Sequence, residues 1–154
     1  MTRLAAGDSA PEFEMAADDG STVSSASLAG SRYVLYFYPK DDTPGCTKQA
    51  CSLRDSWSRV TETDAQVFGV SPDSVKSHSR FREKYSLPYR LLSDEGHRLA
   101  DAYGVWVEKK FMGREYMGVE RSTFVIGPGG EIEHVLAQVK PEGHVDQLLE
   151  ALAG

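Results

Sequence analysis

The sequence predicts one α/β domain over residues 1–154, with a mixed central β-sheet flanked by helices on both faces. The first observation is a set of β-branched and aromatic runs without polar alternation, typical of strands covered on both faces. These runs lie at residues 33–38, 66–70 and 89–92, and each stops at a turn containing proline or serine. The second observation is a helical pattern between the last two runs, where one arc carries Val75, His78, Phe81 and Tyr85. Strands that alternate with helices in this way favour a mixed sheet with helices on both sides.

Similar patterns predict most of the other elements. Residues 17–20 form a turn between two short extended pieces. Runs at 122–126 and 131–137 flank the glycine-rich residues 127–130, which predicts a hairpin. A helical stripe near the C-terminus consists of Val145, Leu148, Leu149 and Leu152. The segment 106–118 follows no clear period and receives no assignment.

The composition excludes several classes of function. The formal net charge is −6, from 17 Lys and Arg against 23 Asp and Glu, which is the wrong sign for binding nucleic acid. No apolar run approaches the roughly 18 residues that a membrane-spanning helix needs. Residues 1–6 lack the apolar stretch of a secretion signal, so we expect a cytoplasmic protein without a membrane partner. Two cysteines are too few for a disulfide scaffold, and in a reducing compartment cysteines are usually reactive or metal-binding.

Cys46 lies where a helix is expected to begin, just after the first predicted strand. Thr43 is a typical N-cap residue whose oxygen accepts from free backbone N–H groups, and Pro44 is tolerated at the first helical position. Cys46 is then the third helical residue. Because the unpaired N–H groups and the helix dipole favour negative charge there, we expect a sulfur held as thiolate.

The second cysteine, Cys51, lies on another side of the same predicted helix. Cys46 begins an apolar stripe that continues through Ala50, Leu53, Trp57 and Val60, so we expect it to face the sheet and to be only partly exposed. Cys51 lies about 140° around the helix, on the polar flank. Five residues of ideal helix separate the two α-carbons by about 8 to 9 Å, beyond the roughly 7 Å limit for a disulfide. A Cys46–Cys51 disulfide therefore requires local unwinding of the helix.

The residues around Cys46 resemble a known family. The pattern Pro39-x-x-x-Thr43-x-x-Cys46 resembles the active-site signature of peroxiredoxins, thiol peroxidases with a thioredoxin-like fold. Residues 43–47 followed by Cys51 resemble the peroxiredoxin Q, or bacterioferritin comigratory protein, subgroup. The segments 103–106 and 121–126 resemble later blocks of that subgroup, so the resemblance covers nearly the whole chain.

The resemblance implies a role for each motif residue. Cys46 would attack hydrogen peroxide or an alkyl hydroperoxide and become a sulfenic acid. Thr43 would hydrogen-bond the peroxide, aided by the backbone N–H groups of Gly45 and Cys46, while Pro39 would shield the pocket. Arg121 would hold Cys46 as thiolate and stabilise charge as the O–O bond breaks.

The resemblance also implies the later steps and the partners. Cys51 would act as the resolving cysteine, and thioredoxin or a similar dithiol protein would reduce the resulting disulfide. The family implies no flavin, haem or metal, and a monomer is the expected state of this subgroup.

Several alternatives stay open at this point. Arg54 competes with Arg121 as the cation beside Cys46, and only the resemblance favours Arg121. A general dithiol oxidoreductase would usually carry Cys-x-x-Cys. A metal carrier would need a histidine close to both thiols, and none follows Cys51 before His78.

The other polar candidates have simpler interpretations. We expect His78 to be a packed core residue, and Asp41 and Asp42 to point to solvent at the start of the helix. We expect the remaining histidines to be surface residues, namely His97, His134 and His144.

Overall fold

A five-stranded mixed sheet forms the centre of the computed structural model, which describes residues 3–153. Its strands are β3 (Tyr33–Phe37), β4 (Gln66–Ser71), β5 (Arg90–Ser93), β8 (Ser122–Ile126) and β9 (Ile132–Leu136). They lie in the order β5-β4-β3-β8-β9. β3 pairs in parallel with β4 and antiparallel with β8. The central strand β3 is buried along its whole length, as its apolar sequence predicts.

Helices cover both faces of this sheet. The helices are α1 (Pro44–Asp55), α2 (Trp57–Thr61), α3 (Val75–Tyr85), α4 (Arg98–Tyr103) and α5 (His144–Ala153). The apolar side chains of α1, α2, α3 and α5 share one core cluster with Val34, Tyr36 and Val125. On the opposite face, α4 packs in a second cluster with Leu35, Phe37 and Phe124. Because side chains alternate along a strand, neighbouring residues of β3 belong to different clusters.

Two small hairpins complete the fold. The first pairs β1 (Glu14–Ala16) with β2 (Thr22–Ser24), around the turn expected at residues 17–20. A 3-10 turn follows at Ala26–Leu28. The second pairs β6 (Trp106–Phe111) with β7 (Arg114–Val119), so the segment that the sequence left unassigned is a β-hairpin.

The predicted elements agree with the structure to within a few residues. β8 has the expected bounds, and the glycine-rich residues 127–130 connect it to β9 as predicted. The expectation of one helix running from Pro44 through Val60 is wrong, because the chain leaves helical geometry at Ser56, with φ −105° and ψ 15°. The apolar stripe persists across this break, with Leu53 and Val60 both buried.

Among residues 3–153, no helix has the length and apolar character needed to cross a membrane.

Candidate active site

Cys46 is the third residue of α1, at the edge of the sheet where β3 ends. Its side chain is only 2% exposed and packs in the cluster that contains Tyr36, Ala50 and Leu53. The expectation of partial exposure is therefore wrong, because the apolar stripe turns the sulfur fully against the sheet. The expected position at the start of the helix is confirmed.

Arg121 contacts the sulfur of Cys46. Its Nη2 donates a hydrogen bond to Sγ over 3.4 Å. Arg121 directly precedes β8, whose first residue, Ser122, pairs with the last residue of β3, Phe37. This antiparallel register places the start of β8 beside the end of β3, where α1 begins. The guanidinium and the positive end of α1 both favour negative charge on the sulfur.

The competing cation, Arg54, points elsewhere. Its Nε donates to the carboxylate of Asp55 over 3.0 Å, and its Nη1 donates to the backbone carbonyl of Tyr85 over 2.7 Å. The structure thus decides between the two arginines that the residue patterns left open, since it is Arg121 that contacts Cys46.

Gln49 holds the guanidinium of Arg121 in place. Arg121 Nη1 donates to Gln49 Oε1 over 2.6 Å, and Gln49 is completely buried. Its Nε2 has no hydrogen-bond partner within residues 3–153. Sequence reasoning missed Gln49, although a polar residue beside the apolar stripe of Cys46 and Leu53 was an available signal.

Gly45 leaves room for this arrangement. A Cβ atom at Gly45 would lie 3.3 Å from Arg121 Nη2 and 3.5 Å from Pro141 Cγ. A side chain there would press on the arm of Arg121 that reaches the sulfur. The predicted motif residues Gly45, Cys46 and Arg121 are therefore brought together.

Thr43 occupies the N-cap position, with an extended backbone at φ −101° and ψ 154°. The expectation that its hydroxyl caps the helix is wrong, because Oγ1 donates to the carbonyl of Lys40 over 2.9 Å. The backbone carbonyl of Thr43 accepts from Thr47 N over 2.8 Å. The first N–H groups of α1 thus keep their capacity to donate to another acceptor. Pro39 is half-buried between β3 and this turn.

Cys51 lies in the middle of α1 and is partly buried, more accessible than Cys46 as predicted. Both cysteines are free thiols. Because α1 is helical from Pro44 to Asp55, the two α-carbons keep the separation of about 8 to 9 Å that an ideal helix imposes.

Asp41 anchors the loop that leads into α1. The expectation that it points to solvent is wrong: it is 7% exposed and accepts from Tyr38 over 2.6 Å and from Ser77 over 2.8 Å. Its Oδ2 also lies 2.7 Å from Nδ1 of the fully buried His78, whose Nε2 donates to the Leu92 carbonyl. His78 is thus a packed core residue, as predicted. Asp41 points inward because two of its hydrogen-bond partners, Ser77 and His78, lie on α3.

The neighbouring carboxylate, Asp42, behaves as expected. It is exposed, and it accepts from Lys84 over 2.8 Å and from Tyr85 over 2.9 Å.

One group of potential metal ligands occurs among the described residues. One ligand atom from each of Asp41, Asp73 and His78 lies within 4.8 Å of the others. The same carboxylates already accept hydrogen bonds from protein groups, including Ser71 and the backbone N–H of Asp41 on Asp73. The group satisfies its own hydrogen bonds and contains neither cysteine.

His144 packs against Tyr36, a member of the core cluster that contains Cys46. The expectation of a surface residue is wrong, because His144 is completely buried as the first residue of α5. Its Nε2 lies 2.8 Å from Thr123 Oγ1, and its ring lies 5.7 Å from the ring of Tyr36. Burial, and then the nearby charge of Arg121, lower the pKa of His144 to about 4. Its spacing with Leu148 and Leu152 on one helical stripe was the signal for burial.

Lys109 of the β6–β7 hairpin lies near the charge of Arg121. Burial lowers the pKa of Lys109, and the charge of Arg121 lowers it further. The far end of the hairpin exposes apolar side chains, namely Phe111, Met112, Tyr116 and Met117.

Comparison with known proteins agrees with this fold and site. Residues 6–135 match the AhpC/TSA family. The chain is 49% identical over 146 residues to a Bacillus subtilis protein named Peroxiredoxin Bcp, covering 95% of this chain and 93% of that protein.

Solved structures show the same similarity. A variant of PrxQ from Xylella fastidiosa superposes with a TM-score of 0.92 at 32% identity, covering 99% of this chain and 98% of that one. A bacterioferritin comigratory protein from Xanthomonas campestris, described with alkyl peroxide reduction activity, gives a TM-score of 0.86 at 36% identity. That match covers 92% of this chain and 90% of the other.

The thioredoxin-like fold and the buried cysteine at a helix start fit the class of thiol peroxidases. The chain belongs to the AhpC/TSA family, and its named relatives are peroxiredoxins of the Bcp and PrxQ type. Family membership selects the peroxide-reducing enzyme over the dithiol oxidoreductase and the metal carrier.

Proposed function

We propose that Cys46 is the peroxidatic cysteine and that Arg121 is the residue that activates it. The observation that carries this proposal is the hydrogen bond from Arg121 Nη2 to Cys46 Sγ at the first turn of α1. A cation and a helix N-terminus that converge on one sulfur stabilise its thiolate, which is the nucleophilic form.

In the first step, the Cys46 thiolate attacks the terminal oxygen of a hydroperoxide. The S–O bond forms as the O–O bond breaks, and the leaving oxygen takes a proton to give water or an alcohol. Cys46 is oxidised to a sulfenic acid. The backbone N–H groups of Gly45 and Cys46 are among those no helical carbonyl reaches, so they can donate to the negative oxygens.

Thr43 would orient the peroxide. Its hydroxyl donates to the Lys40 carbonyl just before the first turn of α1. The hydroxyl oxygen can still accept a hydrogen bond from the peroxide O–H. Orientation matters because a small neutral substrate offers few contacts from which to gain rate. Pro39, half-buried beside this turn, would limit the access of water.

In the second step, the Cys51 thiolate attacks the sulfenic sulfur of Cys46. A disulfide forms, and the hydroxide that leaves takes a proton to become water. The separation along intact helix means that α1 must open between the two cysteines first. A dithiol protein then reduces the disulfide by thiol–disulfide exchange and is itself oxidised.

The finer assignments remain our proposals. Alkyl hydroperoxides are supported as substrates by the activity described for the Xanthomonas relative, beside hydrogen peroxide itself. Thioredoxin as reductant, a monomeric state, a cytoplasmic location and a single domain over residues 1–154 stay predictions. So do the absence of a cofactor and of nucleic-acid or membrane partners.

Stopped-flow tryptophan fluorescence of two serine variants tests the roles of the cysteines. Cys51→Ser should react once with hydrogen peroxide and stop as a sulfenic acid, while Cys46→Ser should not react. Mass spectrometry of the wild-type product should show a Cys46–Cys51 disulfide. The proposal is wrong if Cys46→Ser keeps the fast reaction.

A further inference from the structure

Tyr89 is tied to the helix segment that separates the two cysteines. It lies just before β5, is 3% exposed, and its hydroxyl donates to the backbone carbonyl of Ala50 over 3.1 Å. Ala50 directly precedes Cys51 in α1. The hydrogen bond therefore holds the peptide group that joins Ala50 to Cys51.

A second tyrosine, Tyr36, forms a hydrogen bond with the hydroxyl of Tyr89. Tyr36 Oη lies 2.8 Å from Tyr89 Oη. Because the single proton of Tyr89 is used on Ala50, Tyr36 is the donor in that pair. Burial raises the pKa of both tyrosines, so both hydroxyls stay protonated. The relay runs from Tyr36 in the central strand, through Tyr89, to the backbone of α1.

The surroundings of Tyr89 favour a rigid attachment. Its ring packs against the ring of Trp57, with the ring centroids 5.4 Å apart. It also meets the ring of Tyr36 edge-on, with an interplanar angle of 77° and centroids 5.8 Å apart. The hydrogen bonds of Tyr89 lie inside the protein, since Tyr36 and Ala50 are both buried. Opening of α1 between Cys46 and Cys51 requires the Ala50 carbonyl to move, which breaks its hydrogen bond to Tyr89.

We propose that Tyr89 is a positioning residue for the resolving step. It holds residues 46–51 helical while Cys46 reacts with peroxide, and it slows the opening that Cys51 needs to reach the sulfenic sulfur. This inference rests on the proposed function, because it assumes that Cys46 and Cys51 form the disulfide.

The test compares Tyr89→Phe with a matched control, Tyr103→Phe. Phenylalanine keeps the ring against Trp57 and removes only the hydroxyl. The Tyr103 hydroxyl is also buried, but it has no hydrogen-bond partner in the described part of the chain and belongs to the other core cluster. The control therefore removes a buried tyrosine hydroxyl without loosening α1.

Two measurements separate the role of Tyr89 from a general loss of stability. After stoichiometric peroxide, the first-order disulfide formation of Tyr89→Phe should be about five-fold faster, the effect expected for one net hydrogen bond. The second-order reaction of Cys46 with peroxide should stay at its wild-type rate. In reduced protein without peroxide, the helix-bonded amides of residues 47–51 should exchange hydrogen about five-fold faster.

The results distinguish this inference from the proposed function. Wild-type amide exchange in Tyr89→Phe, or an equal acceleration in Tyr103→Phe, would overturn the inference. Faster exchange together with an unchanged disulfide rate would also overturn it, since the opening would not limit resolution. If the wild-type protein forms no Cys46–Cys51 disulfide at all, the proposed function fails, and the resolving role of Tyr89 fails with it.

Discussion

Phe37, the last residue of β3, pairs with Ser122, the first residue of β8, in antiparallel register. This pairing brings Arg121 to Cys46, although the two residues are 75 positions apart in the chain. A shift of one residue in the register would turn the side chains of β8 to the opposite face. The reactive centre therefore depends on one strand pairing as much as on the helix that carries the cysteine.

Arg121→Met should lower the rate of the reaction with hydrogen peroxide by about 100-fold or more, the usual cost of removing one preorganised charge-stabilising donor. The variant loses the donor to Cys46 Sγ, and stopped-flow fluorescence measures the rate. Arg54→Met is the control, since Arg54 bonds Asp55 and the Tyr85 carbonyl instead. Equal losses in both variants would contradict a specific role for Arg121.

Thr43→Val should lower the peroxide rate, measured by stopped-flow fluorescence, by about ten-fold or more. The hydroxyl is expected to orient the peroxide and makes no hydrogen bond to the sulfur. Thr47→Val, one turn further along α1, should keep the wild-type rate. A wild-type rate in Thr43→Val would show that the proposed contact with peroxide is wrong.

Asp41→Asn should lower the free energy of unfolding by about 3 kcal/mol. The substitution removes one partner of the buried pair that the Asp41 carboxyl group forms with the His78 ring. Urea denaturation followed by circular dichroism measures the change. Asp42→Asn is the control at the next position, and it should unfold like the wild type, since its contacts with Lys84 and Tyr85 are exposed. A small effect at Asp41 would contradict this prediction, because an asparagine amide nitrogen cannot accept the hydrogen bonds made to Oδ2.

The buried His144 should make folding sensitive to acid. Its pKa falls to about 4 in the folded protein, against about 6.5 for an ordinary histidine, so the unfolded chain binds the proton first as pH drops. The free energy of unfolding should be unaffected by His144 above pH 6.5. It should fall by about 3 kcal/mol between pH 6.5 and 4, at 1.36 kcal/mol per pH unit.

Urea denaturation at several pH values tests this slope. His144→Gln should remove that part of the pH dependence, whereas His134→Gln, at a half-buried position of β9, should keep it. An unchanged slope in His144→Gln would assign the acid sensitivity to other groups.

Much of the fold could be predicted because its signals are local. The apolar run before Pro39 predicted β3, and Thr43 with Pro44 predicted the first residue of α1 and so the position of Cys46. Each of these signals depends on side chains only a few residues apart, whose effect on the backbone does not need the rest of the chain.

The polar residues around the site were harder to predict. Asp41 and His144 appear as surface residues when judged by type, yet both are buried with hydrogen-bond partners from other elements. Gln49 was missed for the same reason, because its partner, Arg121, lies on a distant strand. Burial of a polar group is tolerated only where partners exist, and those partners come from the packing of elements remote in sequence.

The sequence by itself determined where the reactive helix begins, which side of it faces the sheet, and that its two cysteines cannot meet while it stays intact. Only the tertiary structure decided which arginine contacts the sulfur and which polar groups support it. The physical reason is the range of the interactions: helix starts and apolar periods arise within a few residues, whereas a strand register joins residues that only the folded chain brings together.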